Sequence, residues 1–198
     1  MRSPLALLTL ALAGVGLWLV SRPAAATSSS SSSSATWPPM PTKPPPAAPG
    51  SGVLRAAWAP PTAAAGYLPA IRTAELAQRL PANLLARLLY QESRFRPEII
   101  SGAVVSSAGA VGIAQIVPKW HPGVNARDPF ASITYAARYL ADLRRRFGSW
   151  DKALAAYNWG MGNLASVVTS AEWLARAPAE TRRYVEEILR DVPAAKPT

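Results

Sequence analysis

The sequence predicts a mainly α-helical single domain behind a long non-globular leader. Three observations predict it. Apolar residues recur at helical spacing through residues 67–192. Asp128-Pro129 places an N-cap residue before a proline at the first helical position. No alternating apolar and polar run is long enough for a strand, and no internal repeat is present.

The elements follow in order. Leu68, Ile71, Leu76 and Leu80 predict a first helix ending before Pro81. A second spans Ala82 to Ser93, with Leu84, Leu85, Leu88 and Leu89 on one side. The stretch 100–112 reads as a small β region or an irregular loop. A third helix starts at Asp128-Pro129 and carries Ile133, Ala137, Leu140, Leu143 and Phe147. It stops at Gly148, after the basic run Arg144-Arg145-Arg146. A fourth runs from Ser149 through Tyr157 and breaks at Gly160 and Gly162, and a last spans Glu180 to Arg190. Residues 193–198 read as a tail.

The leader has two parts. Arg2, an uncharged apolar run from Pro4 to Val20 and the triplet Ala24-Ala25-Ala26 form a signal-peptide pattern over residues 1–26. The run is also near the lower length for crossing a bilayer, so an uncleaved anchor over residues 4–20 stays open. Residues 27–66 are unbroken serine from Ser28 to Ser34, then mostly proline and alanine, and read as a disordered linker. At about 3.1 Å per residue, a Pro-rich linker of this size reaches on the order of 100 Å. The expectation is an exported protein of the periplasm or cell envelope, either soluble after cleavage or held at the inner membrane.

Composition narrows the chemistry. The net charge of +10 suits a polyanionic partner of any kind. The basic residues are scattered rather than interleaved with aromatics, and together with the export pattern this argues against nucleic acid. The chain has no cysteine, which excludes thiol nucleophiles and disulfides. Its single histidine, His121, argues against a zinc site built on two or more histidines. No metal or cofactor is expected. The reactive groups that remain are mostly carboxylates.

Glu92 is the most informative of them. Leu84, Leu88 and Glu92 are spaced by four, so Glu92 lies on or beside the apolar stripe. It also stands at the C-terminal end of its helix, where the backbone dipole disfavours negative charge. Burial and dipole both raise a carboxyl pKa, as a general acid requires. On this helix alone, a surface glutamate paired with Arg94 or Arg96 is the commoner reading.

The surroundings change the weight. Glu92-Ser93 is followed by Ser106-Ser107-Ala108-Gly109-Ala110-Val111-Gly112-Ile113-Ala114-Gln115, then Ala153-Leu154-Ala155-Ala156-Tyr157-Asn158-Trp159-Gly160, then Glu180-Thr181-Arg182-Arg183-Tyr184-Val185. With these blocks in this order, the chain resembles the soluble lytic transglycosylase family, and is similar to its phage- and secretion-associated members. The resemblance implies a lysozyme-like fold over residues 67–192, and peptidoglycan glycan strands as substrate. It implies that Glu92 is the catalytic acid and base that cleaves between N-acetylmuramic acid and N-acetylglucosamine, leaving 1,6-anhydro ends. It implies that Ser93 helps hold the site, that Gln115 and Asn158 contact sugar, and that the Tyr157 hydroxyl orients the glutamate. Tyr184 is placed near the carboxyl, and Ser106 against the acetamido group of the reacting sugar.

The chain departs from the family pattern in places. It carries about five extra residues between Glu92 and the Ser-Ala-Gly block, so Ser101 competes with Ser106. Ile113-Ala114 stands where Leu-Met is usual. Trp159 and Met161 replace the commoner small residue and proline; Trp159 reads either as a sugar platform or as core. His121 matches no family role and is read as structural. Asp128 reads as a helix cap, Asp142 as solvated and Asp151 as a first-turn residue, while Glu98 stays open as a second carboxylate. A goose-type lysozyme hydrolase and a non-catalytic peptidoglycan-binding module are the alternatives.

Overall fold

A computed structural model describes residues 58–197. The segment read as a signal or anchor and the linker up to residue 57 lie outside the described residues. Eight α-helices occur among those described: α1 (Leu68–Ala77), α2 (Leu84–Ser93), α3 (Pro97–Ile100), α4 (Pro129–Phe147), α5 (Trp150–Trp159), α6 (Met161–Ala165), α7 (Trp173–Arg176) and α8 (Ala179–Asp191). No strand occurs among them. The predicted β region or loop is a series of turns, with one isolated antiparallel bridge between Val111 and Ile116.

α5 is the centre of the bundle and packs against α4, α6 and α8. Ala153, Leu154, Ala155 and Ala156 are all wholly buried. Three alanines among these four positions let the neighbouring helices approach closely. α4 begins and ends as its sequence predicts. The Asp128 carboxylate accepts from the backbone N–H of Phe130 and Ala131 at 2.9 and 3.2 Å. Gly148 closes the helix at φ 83°.

The first helix is shorter than its leucines suggest. It stops at Ala77, Arg79 turns the chain at φ 54°, and Leu80 reaches the core from that turn. Leu76 is 80% exposed. The inward stripe is Ile71, Ala74 and Glu75, and Leu76 lies one step past it.

Glu75 is the buried charged group of that stripe. Its carboxylate accepts from the N–H groups of Asn83, Leu85 and Ala86 at 3.2, 2.9 and 3.3 Å, and so caps α2 from a neighbouring helix. Asn83 at φ 67° precedes α2 and makes no side-chain cap of its own.

The packed body extends beyond residues 67–192 at both ends. Trp58 sits 6.0 Å from Tyr90, and Ala64, in a 3-10 turn at Thr62–Ala64, is wholly buried. At the other end, Ala195 is also wholly buried. Pro/Ala composition hides such contacts because it carries no periodicity. Among the described residues, no helix is long and apolar enough to cross a membrane.

Candidate active site

A cleft of about 1090 Å³ is lined by the end of α2, the loop through Ser106 and Gln115, α4, the α5–α6 junction and α8. That volume is at the upper end for small-molecule sites and has room for more than one sugar ring.

Glu92 is the penultimate residue of α2 and lies half-buried in this cleft. The chain leaves α2 abruptly, because Arg94 and Phe95 both take left-handed conformations at φ 53° and 55°. Ser93 ties down that turn. Its hydroxyl donates to the Leu89 carbonyl at 3.1 Å and accepts from the Phe95 N–H at 3.2 Å. Ser93 is wholly buried at the base of the cleft it lines, with its hydroxyl engaged by backbone groups.

The Tyr184 hydroxyl, on α8, donates to Glu92 Oε1 at 2.6 Å. Burial pushes the Glu92 carboxyl up to about 7; the Tyr184 hydrogen bond pulls against that rise and the Glu180 charge adds to it. Burial, with the Glu92 charge next, raises both Tyr157 and Tyr184 well above the ordinary tyrosine range. Both phenols therefore stay neutral.

The Tyr157 hydroxyl donates to the Ala114 carbonyl at 2.9 Å, not to Glu92. The hydroxyl that Glu92 accepts from is thus that of Tyr184, while Tyr157 stands close enough to feel the Glu92 charge. Tyr157 instead pins the loop carrying Gln115, which sits at φ 46° with its side-chain amide donating to the Gly112 carbonyl at 3.0 Å. Gly112, at φ 77°, is required there: a Cβ would lie 2.0 Å from the Ala126 carbonyl oxygen.

Of the two competing serines, Ser106 lines the cleft. Its oxygen accepts from the Ala110 N–H at 2.9 Å, which leaves its own proton for a ligand. Ser101 is exposed, and its hydroxyl donates to the Glu98 carbonyl at 3.3 Å. Asn158 lines the cleft and is largely buried, its carbonyl oxygen accepting from Thr181 Oγ1 at 2.8 Å. Glu98, left open as a second carboxylate, pairs with Arg96 Nε at 2.7 Å and does not line the cleft. The cleft thus brings together Glu92, Ser93, Ser106, Gln115, Tyr157, Asn158 and Tyr184.

Residues 69–179 match the family described as the transglycosylase SLT domain. The chain belongs to this family. A membrane-bound lytic murein transglycosylase F 2 from Alkalilimnicola ehrlichii is 38% identical over 123 residues, which cover 57% of this chain and 26% of that protein. The chain spans about a quarter of the length of that curated relative.

Sequence reasoning missed several residues of this SLT cleft. Glu180 and Glu187 both line it. A signal for them existed: Glu180, Tyr184 and Glu187 follow an i, i+4, i+7 pattern and share one face of α8. Glu187 is occupied by Gln91 Nε2 at 3.3 Å and by the Arg87 guanidinium at 3.7 Å. His121, read as structural, lines the cleft together with Trp120 and the half-buried Trp159. Among the described residues, no cluster of three or more His, Cys, Asp or Glu side chains forms a metal site.

Proposed function

We propose that the chain is a peptidoglycan lytic transglycosylase in which Glu92 serves as both acid and base. The observation that carries this reading is the 2.6 Å hydrogen bond from Tyr184 to a Glu92 carboxyl whose pKa lies about 7. Such a group is partly protonated at neutral pH and is held in one orientation. Family membership supports the same reading.

The reaction runs in two steps. Glu92 gives its proton to the oxygen linking N-acetylmuramic acid to N-acetylglucosamine, and the C1–O bond breaks. An oxocarbenium-like or acetamido-assisted intermediate remains. The Glu92 carboxylate then takes the proton of the C6 hydroxyl as that oxygen attacks C1. The 1,6-anhydro ring closes, Glu92 is reprotonated, and no water is consumed. Gln115, Asn158 and Ser106 hold the sugar; Tyr157 and Ser93 hold the loops around it. The export pattern at residues 1–26 supports a site of action in the cell envelope.

Glu180 favours a second reading. It lines the same cleft and its charge is felt at Glu92, so a hydrolase would have a second carboxylate to activate water. Mass spectrometry of muropeptides released from purified sacculi separates the readings. The full chain should release anhydro-ended products, and Glu92→Gln none. Reducing-ended products that disappear with Glu180→Gln would establish the hydrolase. No product from the folded full chain would leave a glycan-binding module.

A further inference from the structure

The segment read from sequence as the end of the linker is packed against the helix that carries Glu92. Trp58 sets its ring 6.0 Å from that of Tyr90, which stands shortly before Glu92 in the chain. The backbone then passes the half-buried Pro60 and Pro61, makes a single 3-10 turn at Thr62–Ala64, and buries Ala64 wholly. Tyr67 stacks on Phe95, just past Glu92, at 6.3 Å with the ring planes 17° apart. Tyr90 and Phe95 are themselves 6.4 Å apart. Residues 58–67 therefore grip the end of α2 at two aromatic contacts, one on each side of Glu92 in the sequence.

Trp58 also meets a charge. The Arg87 guanidinium lies over the Trp58 ring at 5.7 Å and over the Tyr90 ring at 5.5 Å. Arg87 is 3% exposed. A guanidinium held out of water needs partners for its donors, and this one directs them at Asp191, Gln91 and Glu187. Asp191 and Glu187 lie on α8, the helix that also supplies the Tyr184 hydroxyl to Glu92 at 2.6 Å. The rings of Trp58 and Tyr90 attract the cation without competing for its N–H groups, and they exclude water that would compete. Trp58 is not among the residues lining the cleft. An effect of Trp58 on the reaction has to pass through Arg87 and the α2 end, whereas a tryptophan that only fills the rim of the core would affect stability alone.

We propose that Trp58 is a positioning residue for the reaction at Glu92: it holds Arg87 against α8 and so keeps the Glu92 carboxyl and the Tyr184 hydroxyl at bonding distance. The inference rests on the reading of Glu92 as acid and base, and adds to it a residue that lies outside the cleft, in the stretch expected to be linker.

The full chain is assayed on soluble, peptide-free glycan strands, with anhydro-ended products counted by mass spectrometry well below the unfolding temperature. Trp58→Ala should lower kcat about tenfold, the scale of a small misplacement of a reacting group. KM should stay within about twofold, because Trp58 does not meet the strand. Trp58→Phe keeps a ring face toward Arg87 and should recover most of kcat. In an Arg87→Met background, Trp58→Ala should lower kcat no further, since the route is already cut. If Trp58→Ala does not fold, Trp58→Leu takes its place: it keeps apolar cover without a ring face and should be several-fold slower than Trp58→Phe. Unchanged kcat in the folded Trp58 variants, a rise in KM in place of the fall in kcat, or losses that multiply in the double variant would each overturn the role of Trp58 while leaving the reaction at Glu92 standing. No product from the folded, unsubstituted chain would remove the reaction at Glu92, and the role of Trp58 with it.

Discussion

Arg87 on α2 donates from Nε to Asp191 Oδ2 on α8 at 2.8 Å, across 104 residues of chain. The arginine is buried, and a second nitrogen donates to Gln91 Oε1 at 2.7 Å. Through Gln91 and Glu187 the network joins the two helices that bring Glu92 and Tyr184 together. Arg87→Met should lower stability by about 3 kcal/mol in urea denaturation, since it breaks a buried ion pair and leaves carboxylates short of a partner. It should also cut turnover by roughly tenfold to a hundredfold, because small misplacements of a catalytic group cost that much. Reduced stability with full turnover would show that the network only holds the fold.

The pH profile should report the neighbours of Glu92 with opposite signs. Glu92 must enter the reaction protonated, so kcat/KM should fall as pH rises through about 7. Tyr184 donates to the carboxylate and so favours its charged form. Tyr184→Phe removes that preference and should move the alkaline limb up by about one unit. Glu180 repels the charged form, so Glu180→Gln should move the limb down by a smaller amount. Equal displacement in the same direction would mean that another group sets the limb.

The same carboxyl should be a cost to the fold at alkaline pH. Its pKa rises from 4.5 in the free side chain to about 7 in the folded protein, so the folded state holds the proton more tightly. The resulting contribution is fully present below 4.5 and is lost as pH rises through about 7. Glutamine does not titrate. Glu92→Gln should therefore melt on the order of 5 °C higher than the parent at pH 8, with the gain shrinking toward pH 4.5. An equal gain at both pH values would place its origin in packing rather than in the charge.

Much of the bundle is legible in sequence because its helices are long. α4 shows its cap, its stripe and its terminal glycine within 21 residues, Asp128 to Gly148. Glu92 lies at the end of α2 beside Leu88, where a spacing of four puts it. α3, α6 and α7 have four or five residues each, too few to show a period. The missing parts of the site have a different cause. That Tyr157 bonds Ala114 while Tyr184 bonds Glu92 depends on how α5 and α8 cross, and no local pattern encodes a contact 92 residues apart. The hydrogen bond between His121 and Tyr135 is equally non-local, 14 residues apart on different elements.

Glu75 is the hidden support of the helix that carries Glu92. α2 begins after a left-handed Asn83 that supplies no side-chain cap, so its first N–H groups depend on a carboxylate from α1. Burial raises the Glu75 pKa, and the three backbone N–H bonds pull it partly back. Glu75→Ala leaves the N–H groups of Asn83, Leu85 and Ala86 without that acceptor and should cost about 2–3 kcal/mol. Glu75→Gln keeps one carbonyl oxygen for Leu85 and Ala86 but turns a donor toward Asn83, and should cost roughly half as much. Thermal unfolding at pH 7 measures both. Because α2 carries Glu92, hydrogen exchange of the α2 amides should speed up more than that of α4 in Glu75→Ala. Uniform acceleration would assign the loss to the whole core instead of to the start of α2.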